Sequence, residues 1–206
     1  MKTSHSILAG AGAILMTAQF LGAMPAKADG PPPRTRGVIT AISGDTITVK
    51  TRFGGPVTLK ITGDTGYIGA SKSSLAEVKS GRFIGTAAVP GPNGTLKASE
   101  VTIFPDSMRG AGEGHYGWDL GKSSSMTNGT IGTVTASDKL SMTVSYKGGQ
   151  KTLFVPDDVP VVDLEAGDRS LLQTGAHIVA FGPKSSDGSV DAKRIIVGEK
   201  GVVPPM

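Results

Sequence analysis

The sequence predicts an all-β protein made of two tandem five-stranded barrels, each carrying one short helix. Three observations predict it. The chain repeats itself: G-T-L-K-A-S-E-V at Gly94–Val101 returns as G-S-V-D-A-K-R-I at Gly188–Ile195. The same offset of 94 residues pairs Gly55 with Gly149, Leu59 with Leu153, Ile61 with Val155 and Gly81 with Gly175. Near the repeat starts it drifts to 92, pairing Gly37 with Gly129, Ile39 with Ile131 and Ile42 with Val134. Second, apolar and polar residues alternate with period two in short runs, as half-buried strands require. Third, both repeats present these runs in one order: three strands, a short helical signal, two strands.

Val38–Ile42 opens the first unit, and Ser43-Gly44-Asp45 is turn chemistry. Thr46–Thr51 alternates strictly, Phe53-Gly54-Gly55-Pro56 turns the chain, and Val57–Ile61 alternates again. Ser74-Leu75-Ala76-Glu77 fits a capping box, and Gly81 fits the stop of a short helix. Strands follow at Arg82–Val89 and Leu96–Phe104, joined at Pro92-Asn93-Gly94, an Asn-Gly hairpin signal. In the second unit the strands are Thr130–Thr135, Ser141–Tyr146, Thr152–Val155, Ala176–Phe181 and Val190–Val197, with Asp168 and Gly175 bracketing the short helix. A helix between the third and fourth of five strands is the order of an OB-fold barrel. Closure removes sheet edges, which suits a small chain without cysteine. A β-sandwich assembled from both units is the rival arrangement.

The ends divide off. Lys2 supplies a positive start, Ile7–Ala23 is an uncharged and mostly apolar run, and Ala26-Lys27-Ala28 fits a small-x-small cleavage site. Residues 1–28 therefore read as a signal peptide and 29–35 as a Pro-rich linker. The repeats occupy 36–104 and 128–199, a Gly-rich loop fills 105–127, and 200–206 is a tail. The apolar run is short for a spanning helix and stops at Pro25, so a mature chain beginning near Asp29 has no membrane span. The expected location is outside the cytoplasm, in a periplasm or secreted. Removing Lys2 and Lys27 from the 21 basic residues leaves 19 against 17 acidic ones, a net of +2. With few aromatics and no basic stripe, a nucleic-acid partner is not expected.

The unrepeated stretch Phe104–Thr127 holds the unusual residues. Gly110, Gly112, Gly114 and Gly117 fall within eight positions, and Arg109, Glu113, His115, Tyr116, Trp118 and Asp119 stand among them. Glycines free the backbone, and a side-chain-rich loop on a rigid scaffold is where binding sites are commonly built. These six residues are the candidate binding or interface set. The bland alternative is an ordered linker, with Trp118 capping a seam and Arg109 donating to Glu113, Asp119 or loop carbonyls. A soft-metal site from Met108, His115 and Met126 is the second functional reading, since thioether and imidazole suit Cu(I). Glu113 and Asp119 are too few for a hard-metal cage. Asp157 and Asp158 read as turn residues, and His177 as a strand residue.

Catalysis is a distant third. A serine–histidine arrangement would need Ser107 or Ser123–Ser125 with His115 and Asp119, and no nucleophile elbow frames those serines. Gly117–Ser123 has one residue too few between its glycines for a phosphate loop. The expectation is a non-catalytic binding protein whose partner is a protein, a glycan or a metal. Metal handling is the alternative, and a hydrolase ranks behind both.

R-G-V-I-T-A-I-S-G-D-T-I-T-V-K, F-P-D-S-M-R-G-A-G-E-G-H-Y-G-W-D, S-M-T-N-G-T and the C-terminal V-P-P-M resemble a bacterial exported family of unknown function with tandem OB-like repeats. Members commonly carry Arg-Pro where this chain has Tyr116-Gly117, so one cationic contact is missing here. The resemblance implies no established reaction, cofactor or catalytic residue.

Overall fold

The computed structural model describes residues 33–51, 54–136 and 140–204. The expected signal peptide and most of the expected linker, the start of the turn at Phe53, and the last two residues of the expected tail lie outside them. The fold is all-β, and among the described residues the helical ones form isolated 3-10 turns only. The strands are β1 (Arg34–Ser43), β2 (Thr46–Thr51), β3 (Pro56–Lys60), β4 (Gly66–Lys72), β5 (Phe83–Pro90), β6 (Leu96–Ile103) and β7 (Gly114–Gly117). They continue with β8 (Ser125–Ala136), β9 (Leu140–Tyr146), β10 (Gly149–Val155), β11 (Val161–Gly167), β12 (His177–Phe181), β13 (Val190–Asp191) and β14 (Arg194–Gly198).

One five-stranded barrel closes through β8, β9, β10, β6 and β5. Leu153 and Phe154 of β10 meet Leu96 and Lys97 of β6 in parallel, and Phe83–Ala88 of β5 pair with Ser125–Thr130 of β8. Each repeat was expected to close on itself, and the pairing corrects this. Three of the barrel strands come from the second repeat and two from the first. Inside sit Ile84, Ile103, Ile131, Val144 and Leu153, all within 1 % of full burial. Burying each such side chain contributes about 1.5–3 kcal/mol.

The remaining strands exchange in the reciprocal sense. β1 pairs with β12, β12 with β14, and β3 with β13 in parallel. A second cluster of Ile39, Ile47, Leu59, Ile178 and Ile195 packs between them. The two halves are joined at β4 and β11, which pair antiparallel, with Gly69 opposite Glu165 and Ala70 opposite Leu164. An offset of 95 carries one of these pairs onto the other, so the join has the symmetry of the repeat. β4 also lies parallel to β14, and β11 parallel to β6. β4 of the first repeat thus lies between two strands of the second, and β11 of the second between two strands of the first.

Local chemistry explains several details. A Cβ on Gly37 would collide with the Lys50 carbonyl, and one on Gly129 with the Ser145 carbonyl. The equivalent glycines therefore serve one purpose, the close approach of the first strand to the second. Asn93 (φ 52°) and Gly94 (φ 74°) both take the left-handed conformation that a tight hairpin demands. The short helices are corrected to single 3-10 turns, Leu75–Glu77 and Arg169–Leu171. Ser74 makes no side-chain capping bond. Asp168 does cap, accepting from the Ser170 amide at 2.7 Å.

Candidate functional site

The insert starts after Phe104, whose ring meets Phe83 edge-on at 5.6 Å. A 3-10 turn at Asp106–Met108 follows, and Gly110 (φ 86°) and Gly112 (φ 59°) then supply left-handed turns. These turns send the chain back along the barrel as β7, which pairs with β8: His115 opposite Thr127, Tyr116 opposite Met126. Because side chains alternate along a strand, β7 divides the predicted site residues between two faces.

On one face the insert grips the barrel. The Arg109 guanidinium donates to Asp106 at 2.8 Å, to the Gly81 carbonyl at 3.1 Å and to Thr130 at 3.4 Å. Its expected partners, Glu113 and Asp119, are engaged elsewhere. Glu113 accepts from the Lys147 amide at 3.0 Å. The His115 ring stacks on Tyr146 at 6.1 Å, and its Nδ1 lies 2.9 Å from the Thr127 hydroxyl. Burial first, and the nearby Lys151 charge second, hold the His115 pKa below the ordinary imidazole value.

On the other face Tyr116 and Trp118 meet at 6.0 Å and turn toward a cavity of about 540 Å³. Its walls are Phe104, Met108, Met126, Phe181 and Ile196, and Lys193 and Arg194 also line it. The surrounding apolar cluster includes Phe83, Leu164 and Val179 from both halves. Asn128, 5 % exposed, stands in the wall. Its amide nitrogen donates to the Ala111 and Gly112 carbonyls and to the Tyr116 hydroxyl. Its Oδ1 and the Trp118 Nε1 have no hydrogen-bond partner among the described residues.

A two-arginine clasp holds the end of the insert. Asp119 accepts from Arg36 at 2.6 and 3.2 Å and pairs with Arg34 at 2.8 Å. The Arg34 guanidinium also lies 3.7 Å from the Trp118 ring centre, a cation–π contact. Burial raises the Asp119 pKa; bonds and charge from Arg36 and Arg34 outweigh it and hold the carboxyl below its ordinary value. Arg34 and Arg36 escaped the sequence reading, Arg34 lying in the expected linker and Arg36 at a repeat boundary. The only signal was a pair of arginines spaced i, i+2, which a strand puts on one face.

The proposed soft-metal set does not converge. Met108 and Met126 share the cavity, while His115 faces Tyr146 across β7. Among the described residues no group of three or more His, Asp or Glu is placed to hold a metal ion. The serine–histidine arrangement does not assemble either. His115 is bonded to Thr127, Asp119 to the arginines, and the Ser124 hydroxyl donates to the Trp118 and Gly121 carbonyls. Among the described residues no helix is long and apolar enough to cross a membrane.

No curated protein matches the chain, and no solved structure does. Residues 36–102 match the family described as "Domain of unknown function (DUF5666)". That segment runs from β1 to β6 and takes its closing strand partners from beyond its own end. Over those residues the chain is similar to that domain of unknown function, and the match ends before the insert.

Proposed function

We propose that this is an exported, non-catalytic binding protein that takes a small, largely apolar ligand beneath its inter-repeat insert. Export rests on the cleavable N-terminal pattern of Lys2, Ile7–Ala23 and Ala26-Lys27-Ala28. The scaffold is a pair of strand-exchanged OB-like barrels, with β13 and β14 acting as one strand interrupted at Ala192–Lys193. The packed cluster around Ile39, Leu59 and Ile195 supports that pairing.

The cavity under Trp118 carries the functional reading. Its size falls in the range of small-molecule sites, about 300–1,000 Å³, and such sites are mostly apolar with a few placed polar groups. The buried Asn128 oxygen is such a group, and satisfying it would reward a ligand that donates. The insert residues Met108, Tyr116 and Trp118 form the roof, so the unrepeated segment supplies what the repeats lack.

The test uses the mature chain and Trp118 as reporter, since it is the only tryptophan. Decanol and decanoate are titrated separately, below their aggregation limits. At least one should shift Trp118 emission saturably at one equivalent. Ala111→Phe, which fills the cavity from the insert side, should abolish that response. If neither compound saturates, or if Ala111→Phe binds as well as wild type, the cavity is not a binding site.

A further inference from the structure

We infer that the ligand of this cavity is an anionic amphiphile, a carboxylate or similar acid on an apolar chain or ring; this rests on the binding role proposed for the cavity. The charge distribution carries the inference. Every ionisable side chain with a full charge at neutral pH that lines the cavity is a cation: Lys193 and Arg194. Both are exposed, and neither makes an ion pair or a side-chain hydrogen bond among the described residues. None of the acidic residues of the insert lines the cavity, and Asp119 is occupied by Arg36 and Arg34.

The backbone holds the two cations in place. The Lys193 amide donates to the Phe181 carbonyl at 2.8 Å, and its carbonyl accepts from Gly66 at 3.0 Å. Arg194 begins β14 and pairs in register with Phe181, itself a cavity wall. A chain or ring among Phe104, Met126, Phe181 and Ile196 would thus leave its head group beside the two side chains. Arginine can take a carboxylate or phosphate through two parallel bonds, and lysine adds a point charge. The repeat makes the contrast plain. The first-repeat residues corresponding to Lys193 and Arg194 are Ser99 and Glu100, so the cationic pair belongs to this copy alone. An uncharged ligand would make no use of it, and a cationic one would be repelled.

The test compares three probes with one chain length: decanoate, decanol and decyltrimethylammonium. Each is titrated at pH 7 and followed by calorimetry and Trp118 emission. Decanoate should bind at least about tenfold tighter than decanol, equivalent to about 1.4 kcal/mol. Decyltrimethylammonium should bind more weakly than either. The double variant Lys193→Gln/Arg194→Gln, at two exposed positions, should bring decanoate down to the level of decanol measured on the same variant. Raising the salt concentration should narrow the wild-type gap. Equal binding of decanoate and decanol by the wild type would overturn the anionic assignment while leaving the cavity reading intact. An unchanged preference in the double variant would overturn it too. Failure of all three probes would instead remove the cavity reading itself.

Discussion

Asp119 and Arg36 meet across 83 residues of chain in a two-bonded pair, at 2.6 and 3.2 Å. Arg34 joins the same carboxylate at 2.8 Å and lays its guanidinium on Trp118. The end of the insert is therefore tied to the first strand of the protein. The tie is partly open to water, with Asp119 about half exposed and Arg34 only 7 % exposed. Its direct contribution to global stability is small, and its effect falls on the order of the insert.

Asp119→Asn should show this. The direct loss is about 0–1 kcal/mol for a screened pair, a fall in Tm of at most about 4 °C. Protease cleavage between residues 118 and 124 should accelerate severalfold. Arg34→Met should cost more, up to about 2 kcal/mol, because it also removes a desolvated cation–π contact. Equal cleavage rates in wild type and Asp119→Asn would show that the insert is held without the clasp.

The pH dependence has two windows. Asp119 has a depressed pKa in the fold, so its stabilisation is complete above the ordinary carboxylate value of 3.8. It is lost as the pH falls through the lower folded value. Trp118 emission should shift to longer wavelength only in that acidic range. His115 also has a depressed pKa, against an ordinary value of 6.5. There the unfolded chain takes up the proton first, so stability falls as the pH drops below 6.5. His115→Gln should flatten the change in Tm between pH 7 and pH 5. A wild-type Tm that is constant over that interval would contradict the burial of the imidazole.

The repeated glycines predict a matched pair of defects. Gly37→Ala and Gly129→Ala each drive a methyl group into a carbonyl of the adjacent strand. Each should cost about 1–3 kcal/mol, as overpacking does. Gly55→Ala, where a Cβ meets nothing within 4 Å, is the control and should be close to neutral. Denaturant midpoints for the three variants provide the comparison. A neutral Gly37→Ala would mean that β1 and β2 can move apart at no cost.

Strand exchange predicts how fragments behave. A fragment of residues 33–104 keeps β1 to β6 but loses β8, β10, β12 and β13, their closing partners. Alone it should not be a folded monomer. It should either remain unfolded or pair with a second copy by the same exchange. Mixing it with residues 105–206 should restore the native spectrum. Light scattering and circular dichroism distinguish these results, and a folded monomer of 33–104 would show that exchange is dispensable.

The local elements were legible because their signals are local. Period-two alternation placed β2, β3 and β9, and Asn93-Gly94 marked the β5–β6 hairpin through its demand for positive φ. The first three strands of each unit and those after its 3-10 turn followed from the repeat, while β4 and β11 did not, and the insert stood out as the stretch without a copy. β4 was not legible: Gly66-Tyr67-Ile68-Gly69-Ala70-Ser71-Lys72 reads as a loop, and it becomes a strand because β11 and β14 flank it. Periodicity also could not tell which strands close the barrel. Matching patterns leave self-closure and exchange equally well patterned, and the pairing of β10 with β6 and of β5 with β8 shows strands of both repeats in one barrel. The same holds for the site. Sequence singled out Arg109, Glu113, His115, Tyr116, Trp118 and Asp119 by their neighbourhood. Only the tertiary structure divided them, because alternation along β7 turns His115 to the barrel and Tyr116 to the cavity. Arg34, Arg36, Lys193 and Arg194 reach Asp119 and the cavity from both ends of the chain, and no pattern within a window of residues can report such a meeting.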